Sequence, residues 1–235
     1  MQPTFFSLEK QYIFPHPLLV EGDIVALSTH LFARQLLTAY SFGFFPWYNE
    51  EGPVLWWYPD PRCVLFPEDL KVSKSMRQLI RKNAFQVTLN KDFNAVILAC
   101  KNTPRRGQQG TWIHDEIIEA YLDLHLLKVA HSVEIWQGDE LVGGLYGIIL
   151  GRVFYGESMF SRVSNASKYG FIKWVQHLQS IGITMIDCQQ ETPHILSLGA
   201  KTISKKAFHQ LLFQNRLYQL QKGDLYTEGD KIPSS

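Results

Sequence analysis

Glu157, Asp187 and Gln189 are the residues of this chain best suited to chemistry. Glu157 lies in Gly156-Glu157-Ser158-Met159-Phe160-Ser161-Arg162. Asp187 and Gln189 lie in Ile186-Asp187-Cys188-Gln189, one helix-length segment later. Both stretches read as buried strands with polar groups among apolar neighbours. A buried carboxylate is costly unless it is paired or hydrogen-bonded, so it usually has a role. Alternation along a strand puts Asp187 and Gln189 on one face. With Glu157 in a neighbouring antiparallel segment, two carboxylates and a carboxamide converge, an arrangement suited to a cationic or amine substrate. The bland alternative is a buried salt bridge, with Arg162 as the partner of Glu157.

Other reactive groups fit less well. Gly156-Glu157-Ser158 begins like a nucleophile elbow, but the second glycine of G-x-S-x-G is replaced by Phe160 and the serine is in a strand. Cys188 alternates away from Asp187 and Gln189 and reads as a core thiol. His194 follows Pro193 in a loop, where a hydrogen-bonding role is the default. No spacing suggests metal ligands.

The elements that must position these groups follow from local signals. Residues 1–30 read as loop and short extended pieces. Phe32, Leu36, Leu37 and Tyr40 repeat at helical spacing, with Gly43 as the C-cap. Pro46, Pro59 and Pro61 then fix an irregular stretch, and a domain boundary is placed at residue 62. A helix opened by Ser73 buries Met76, Leu79 and Ile80. Its Lys74, Arg77 and Arg81, with Lys82 and the Arg105-Arg106 loop, form either a solvated face or a phosphate-binding one. Phe85–Leu89 alternates as a strand, and helices follow at 92–100 and 115–127. Strands at 131–137, 140–150 and 152–160 are joined by the tight turns at Gly138-Asp139 and Gly151. A helix at 166–180, a strand at 184–189 and a helix capped by Ser204 complete the order. Residues 221–235 read as a loose polar tail. The expected class is α+β, with helices on a mostly antiparallel sheet.

Composition narrows the class. With 23 basic and 22 acidic residues the net charge is +1, so any contact with nucleic acid depends on a local basic patch. Three widely spaced cysteines, with no CxxC pair, suit neither a disulfide framework nor a zinc site and fit a reducing cytoplasm. No apolar run reaches bilayer length. Trp47, Trp56, Trp57 and Trp112 are either core residues or platforms for stacking a base.

In order along the chain, LLTAY…GFFPW, LWWYPDPRCVLFPE, VSKSMR, GTWI, EAY, LHLLKVAHSVEIW, ELVGGLYG, GESMFSR, NASK, IDCQ and TPH…SLGA closely resemble the bacterial leucyl/phenylalanyl-tRNA–protein transferases. The resemblance spans about residues 36–212. It implies an enzyme that moves Leu, Phe or Met from aminoacyl-tRNA to the N-terminal Arg or Lys of a protein, marking that protein for degradation. It further implies a small N-terminal domain (1–62) and a larger domain (63–235) similar to the acetyltransferase (GNAT) fold, a cytoplasmic setting, and no cofactor, metal or membrane. Carried over by position, Trp47, Trp112 and Tyr121 would frame the terminal adenosine of the tRNA. Leu145, Phe154, Met159, Trp174 and Ile186 would line an apolar pocket for the transferred side chain. Glu157, Asp187 and Gln189 would form the reacting centre, and Lys74, Arg77 and Arg81 would face the acceptor arm. Three stretches depart from the family pattern: residues 26–32, Trp174 where a smaller aromatic is usual, and the region after Gln189.

Two other readings compete. An acetyl-CoA-dependent N-acetyltransferase suits the strand order, but the turn at Ser161-Arg162-Val163-Ser164-Asn165-Ala166 lacks the glycines that hold pyrophosphate. A non-catalytic RNA-binding module would use the tryptophans and basic face and leave Glu157, Asp187 and Gln189 without a purpose.

Overall fold

Glycine and polar caps start and stop the elements much as the local sequence suggests. A computed structural model describes residues 6–7, 14–49, 52–104 and 111–222. In chain order these contain β1 (Phe6–Ser7), β2 (Ile24–Ser28), α1 (Ala33–Phe42), β3 (Phe45–Pro46), β4 (Val54–Trp57), β5 (Arg62–Leu65), α2 (Lys74–Arg81) and β6 (Gln86–Leu89). There follow α3 (Phe93–Lys101), α4 (Asp115–Leu126), β7 (Ala130–Gln137), β8 (Glu140–Leu150), β9 (Val153–Ser161) and α5 (Ala166–Ser180). The chain continues with β10 (Met185–Gln189), α6 (Pro193–Ser197), β11 (Lys201–Ile203) and α7 (Lys205–Lys222). Gly43 ends α1 at φ 88°, where a side chain would be strained, and a Cβ there would lie 2.6 Å from Leu212. The Ser73 side chain accepts the Met76 N–H at the start of α2, and Asp92 does the same for Ala95 at the start of α3.

Two sheets result. The smaller has the order β1-β2-β4-β3, and Pro46 is tolerated because β3 is an edge strand. The larger has seven strands in the order β11-β5-β10-β9-β8-β7-β6. Its hairpins β7–β8 and β8–β9 are antiparallel, with turns through Gly138 and Gly151 at positive φ. β9 and β10, however, run parallel. The helical crossover α5 returns the chain in the same direction, which corrects the expectation that Glu157 and Asp187 sit on antiparallel neighbours. The class is α+β, a mostly antiparallel sheet flanked by helices.

Several pieces were not anticipated. Residues 62–65, expected at a boundary after a proline-fixed stretch, form β5 inside the large sheet. His194 lies in the short helix α6 rather than in a loop, because Thr192 caps the N–H of Ile195. The Arg105-Arg106 loop and the tail beyond residue 222 lie outside the described residues.

Candidate active site

β9 and β10 pair from Met185/Val153 to Asp187/Tyr155 and then separate. Both strands are irregular at this point. In the β8–β9 ladder Tyr146 faces Ser158 and Gly147 faces Gly156, so Glu157 is an extra, bulged residue. In β10, Asp187 faces Val64 and Gln189 faces Cys63, so Cys188 is bulged in the same way. Bulges re-aim side chains and end pairing, and here they open a cavity of roughly 520 Å³ between the strands. Leu145, Phe154, Met159, Phe171 and Ile186 give its apolar walls, while Glu157, Ser158, Gln189 and His194 give polar groups. Gly147 permits the geometry: a Cβ there would lie 2.2 Å from the Tyr155 carbonyl and 2.5 Å from the Phe154 ring.

Glu157 is held from two sides. Tyr40 of α1 donates to its Oε1 at 2.6 Å, and Tyr121 of α4 donates to its Oε2 at 2.9 Å. The two hydroxyls are themselves 2.7 Å apart. The Gln189 amide donates to Oε1 at 3.1 Å, bridging the separated strands. Burial pushes the Glu157 carboxyl up to about 7, into the range where proton transfer at neutral pH is feasible. Burial, with the Glu157 charge beside them, also raises Tyr40 and Tyr121 well above the ordinary phenol range, so both stay protonated.

Asp187 has a different environment. It is fully buried, with Oδ1 accepting Arg62 Nε at 2.8 Å and Oδ2 accepting Arg62 Nη2 at 2.6 Å. Oδ1 also accepts the Gln189 backbone N–H at 2.9 Å. Arg62 donates in addition to the Gly43 carbonyl at 3.0 Å and lies over the rings of Phe45 and Phe208. The pair therefore joins α1, α7 and β10. Gln189 adopts φ 60°, a left-handed conformation that a β-strand residue does not take without support. The Asp187 carboxylate supplies that support, so its contribution to the cavity is to fix where Gln189 points.

This arrangement can hold an amine or ester among hydrogen-bonding groups beside a hydrophobic slot. The model of the family described as Leucyl/phenylalanyl-tRNA protein transferase matches residues 64–213, and that of its N-terminal domain matches residues 31–60. A leucyl/phenylalanyl-tRNA–protein transferase of Pseudomonas fluorescens (strain Pf0-1) is 51% identical over 209 residues, 89% of each chain. One from Christiangramia forsetii is 52% identical over 210 residues, covering 88% of this chain and 99% of its own. The chain belongs to this family. Among solved structures, L-PGS from Bacillus licheniformis overlays with a TM-score of 0.38 and 10% identity, covering 69% of this chain and 51% of that one. So distant a likeness supports no argument.

Within this member of the family, Leu145, Phe154, Met159 and Ile186 line the cavity, as do Glu157 and Gln189. Trp174 is not among the lining residues. It is buried behind Phe154, ring centroids 5.4 Å apart, and stacks on His177. Phe171, one turn earlier on α5, is the lining aromatic instead. Asp187 and Gln189 do not share a face, because the Cys188 bulge shifts the alternation by one residue. Cys188, expected to point away, lines the cavity, and its thiol contacts that of Cys63. Arg162 does not pair with Glu157: it donates to the Leu141 carbonyl and lies over Phe160.

Tyr121 is fully buried with its hydroxyl on Glu157, so its ring is not open to a base in this structure. Trp112 is also buried; Trp47 is half-buried against Trp57. Lys74, Arg77 and Arg81 are exposed on α2. Sequence reasoning missed Tyr40 and Arg62. A fully buried aspartate requires a cation, and that requirement was the signal for Arg62. Tyr40 left none beyond its helical spacing.

Proposed function

We propose that this chain transfers Leu, Phe or Met from aminoacyl-tRNA to proteins beginning with Arg or Lys, committing them to degradation through their N-termini. As a member of its family the protein is an aminoacyltransferase, with aminoacyl-tRNA and a protein as substrates. The observation that carries the finer reading is the cavity itself, an apolar slot ending on Glu157 and Gln189. The slot suits an apolar side chain, and such a pocket discriminates by only about 1–3 kcal/mol per methylene. A spread among Leu, Phe and Met follows from that.

The ester of an aminoacyl-tRNA is already activated, so alignment and proton handling supply most of the catalysis. With its amide nitrogen committed to Glu157, Gln189 has its carbonyl oxygen free to accept a hydrogen bond from the attacking amine. The amine lone pair attacks the ester carbonyl carbon, the C–N bond forms, and the bond to the ribose 3′-oxygen breaks. Glu157 relays the proton that must reach that oxygen, and Asp187 acts by positioning Gln189.

Trp47 is the proposed platform for the terminal adenosine, with the buried Trp112 and Tyr121 reached only if the site opens. Lys74, Arg77 and Arg81 are the proposed contacts to the acceptor arm. We assign residues 1–62 to a small N-terminal domain and 63–235 to a GNAT-like one. The mostly antiparallel seven-stranded sheet flanked by helices is consistent with that reading. A cytoplasmic setting is proposed on the same family grounds; among the described residues no helix is long and apolar enough to cross a membrane.

The decisive experiment mixes the protein with Leu-tRNA or Phe-tRNA and peptides beginning with Arg, Lys or Ala. Mass spectrometry should find one added residue on the Arg and Lys peptides alone. Modification supported by acetyl-CoA without tRNA would overturn the reading at the level of the donor.

A further inference from the structure

Tyr40, Tyr121 and Glu157 bring four oxygens together in a closed circuit. The contacts are Glu157 Oε1 to Tyr40 at 2.6 Å, Tyr40 to Tyr121 at 2.7 Å, and Tyr121 to Glu157 Oε2 at 2.9 Å. All three lie in the O–H···O hydrogen-bond range, so each needs one proton between its oxygens. The two phenols supply two protons. Ionised Glu157 supplies none, leaving one short contact with facing lone pairs; protonated Glu157 supplies the third. We infer that these residues form a proton ring that is complete only when Glu157 is protonated, with Tyr40 as the positioning residue that closes it.

The ring gives the site a chemistry beyond simple hydrogen bonding. Tyr40 and Tyr121 are wholly buried, while Glu157 lines the cavity. A neutral carboxyl can act at both oxygens. One gives its proton to the ribose 3′-oxygen as the C–O bond breaks. The other takes a proton from the nitrogen of the attacking R–NH₂ as the C–N bond forms. Glu157 then remains neutral, with its proton on the opposite oxygen. Three hops around the ring, one across each contact, return it without water and without net charge movement. The earlier loss of a proton from the ammonium form of the acceptor is to solvent. This role rests on the transferase reading; the ring itself does not.

The groups facing Glu157 from the packed elements are Tyr40 on α1, Tyr121 on α4, and Asp187 and Gln189 on β10; Tyr146 of β8 lies beside the two phenols, and Cys188 and His194 line the same cavity. Two independent phenol donors and a closed ring make opposite demands on this carboxyl. Independent donors favour the carboxylate, so removing one would raise its protonation midpoint by about 1–2 pH units. Breaking a ring that favours the acid lowers the midpoint, by about half to one pH unit for one neutral hydrogen bond.

The test is ¹³C NMR titration of protein labelled at the glutamate carboxyl carbon, with the Glu157 signal assigned by its loss in Glu157→Gln. Wild-type Glu157 should be protonated at pH 6, and Tyr40→Phe should titrate at lower pH. Tyr121→Phe, which opens the ring at its other contact, should do the same. Tyr40→Phe/Tyr121→Phe together should shift it no further than either alone. In single-turnover transfer, the falling limb at high pH should move down with the NMR midpoint, whereas a purely structural defect would lower the rate equally at every pH. An upward or absent shift in either single variant, or wild-type Glu157 already ionised at pH 6, overturns the ring. Normal titrations with no aminoacyl transfer by the wild type would instead leave the ring standing and refute its catalytic role.

Discussion

Replacing Glu157 by Gln should destroy activity and stabilise the fold at alkaline pH. The Glu157 carboxyl is raised by burial from 4.5 to about 7. Between those values the folded protein keeps a proton that the unfolded chain has released, so its stability falls as pH rises through that window. At pH 5 the penalty is still small, and by pH 8 nearly all of it is present. The linkage relation puts the change between pH 5 and pH 8 at about 2.5 kcal/mol, reduced to about 2 because Glu157 borders a solvent-accessible cavity. Gln has the hydrogen-bonding pattern of the protonated acid: its oxygen accepts from Tyr40 and its nitrogen donates toward Tyr121. It therefore removes the charge and keeps the contacts. Urea unfolding of both proteins at pH 5 and pH 8 measures the effect, and the difference between them cancels other titrating groups such as His131, which burial lowers to about 4. With a slope of about 2 kcal/mol/M, the variant's midpoint should gain about 1 M over wild type between the two pH values. An equal gap at both pH values, or one that widens toward pH 5, would refute the argument.

Three further outcomes follow from the same structure. Arg62→Met should destabilise by about 3–5 kcal/mol by leaving Asp187 buried without its partner, and Arg62→Lys should rescue little because the pairing is bidentate; denaturant midpoints would measure both. Phe171→Ala should shift transfer from Leu toward Phe by enlarging the slot, whereas Trp174→Phe should cost about 1–2 kcal/mol of stability with little change in that ratio, since Trp174 sits behind Phe154. Replacing Lys74, Arg77 and Arg81 together by Gln should raise KM for aminoacyl-tRNA at unchanged kcat, and the log–log salt dependence should flatten by up to about 0.7–0.9 for each phosphate that is no longer neutralised.

The chain itself determined a good deal of this protein. The helical spacing from Phe32 to Tyr40, the Gly43 cap, the Ser73 cap and the turns at Gly138 and Gly151 are local, within reach of neighbouring residues, and so are legible without a fold. Buried polar residues in apolar strands marked Glu157, Asp187 and Gln189 for the same reason: their cost is set by their immediate surroundings. What each of them does was decided at long range. The two bulges depend on strand pairings between distant segments, and they turn Asp187 inward and Gln189 toward the cavity. Arg62 meets Asp187 across 125 residues, and Tyr40 meets Glu157 across 117. Neither contact leaves a periodic mark, because a hydroxyl or guanidinium satisfies a buried carboxylate from whichever element brings it there. The sequence therefore named the costly groups, and only the tertiary structure chose their partners, leaving one carboxylate spent on an ion pair and the other free to exchange a proton.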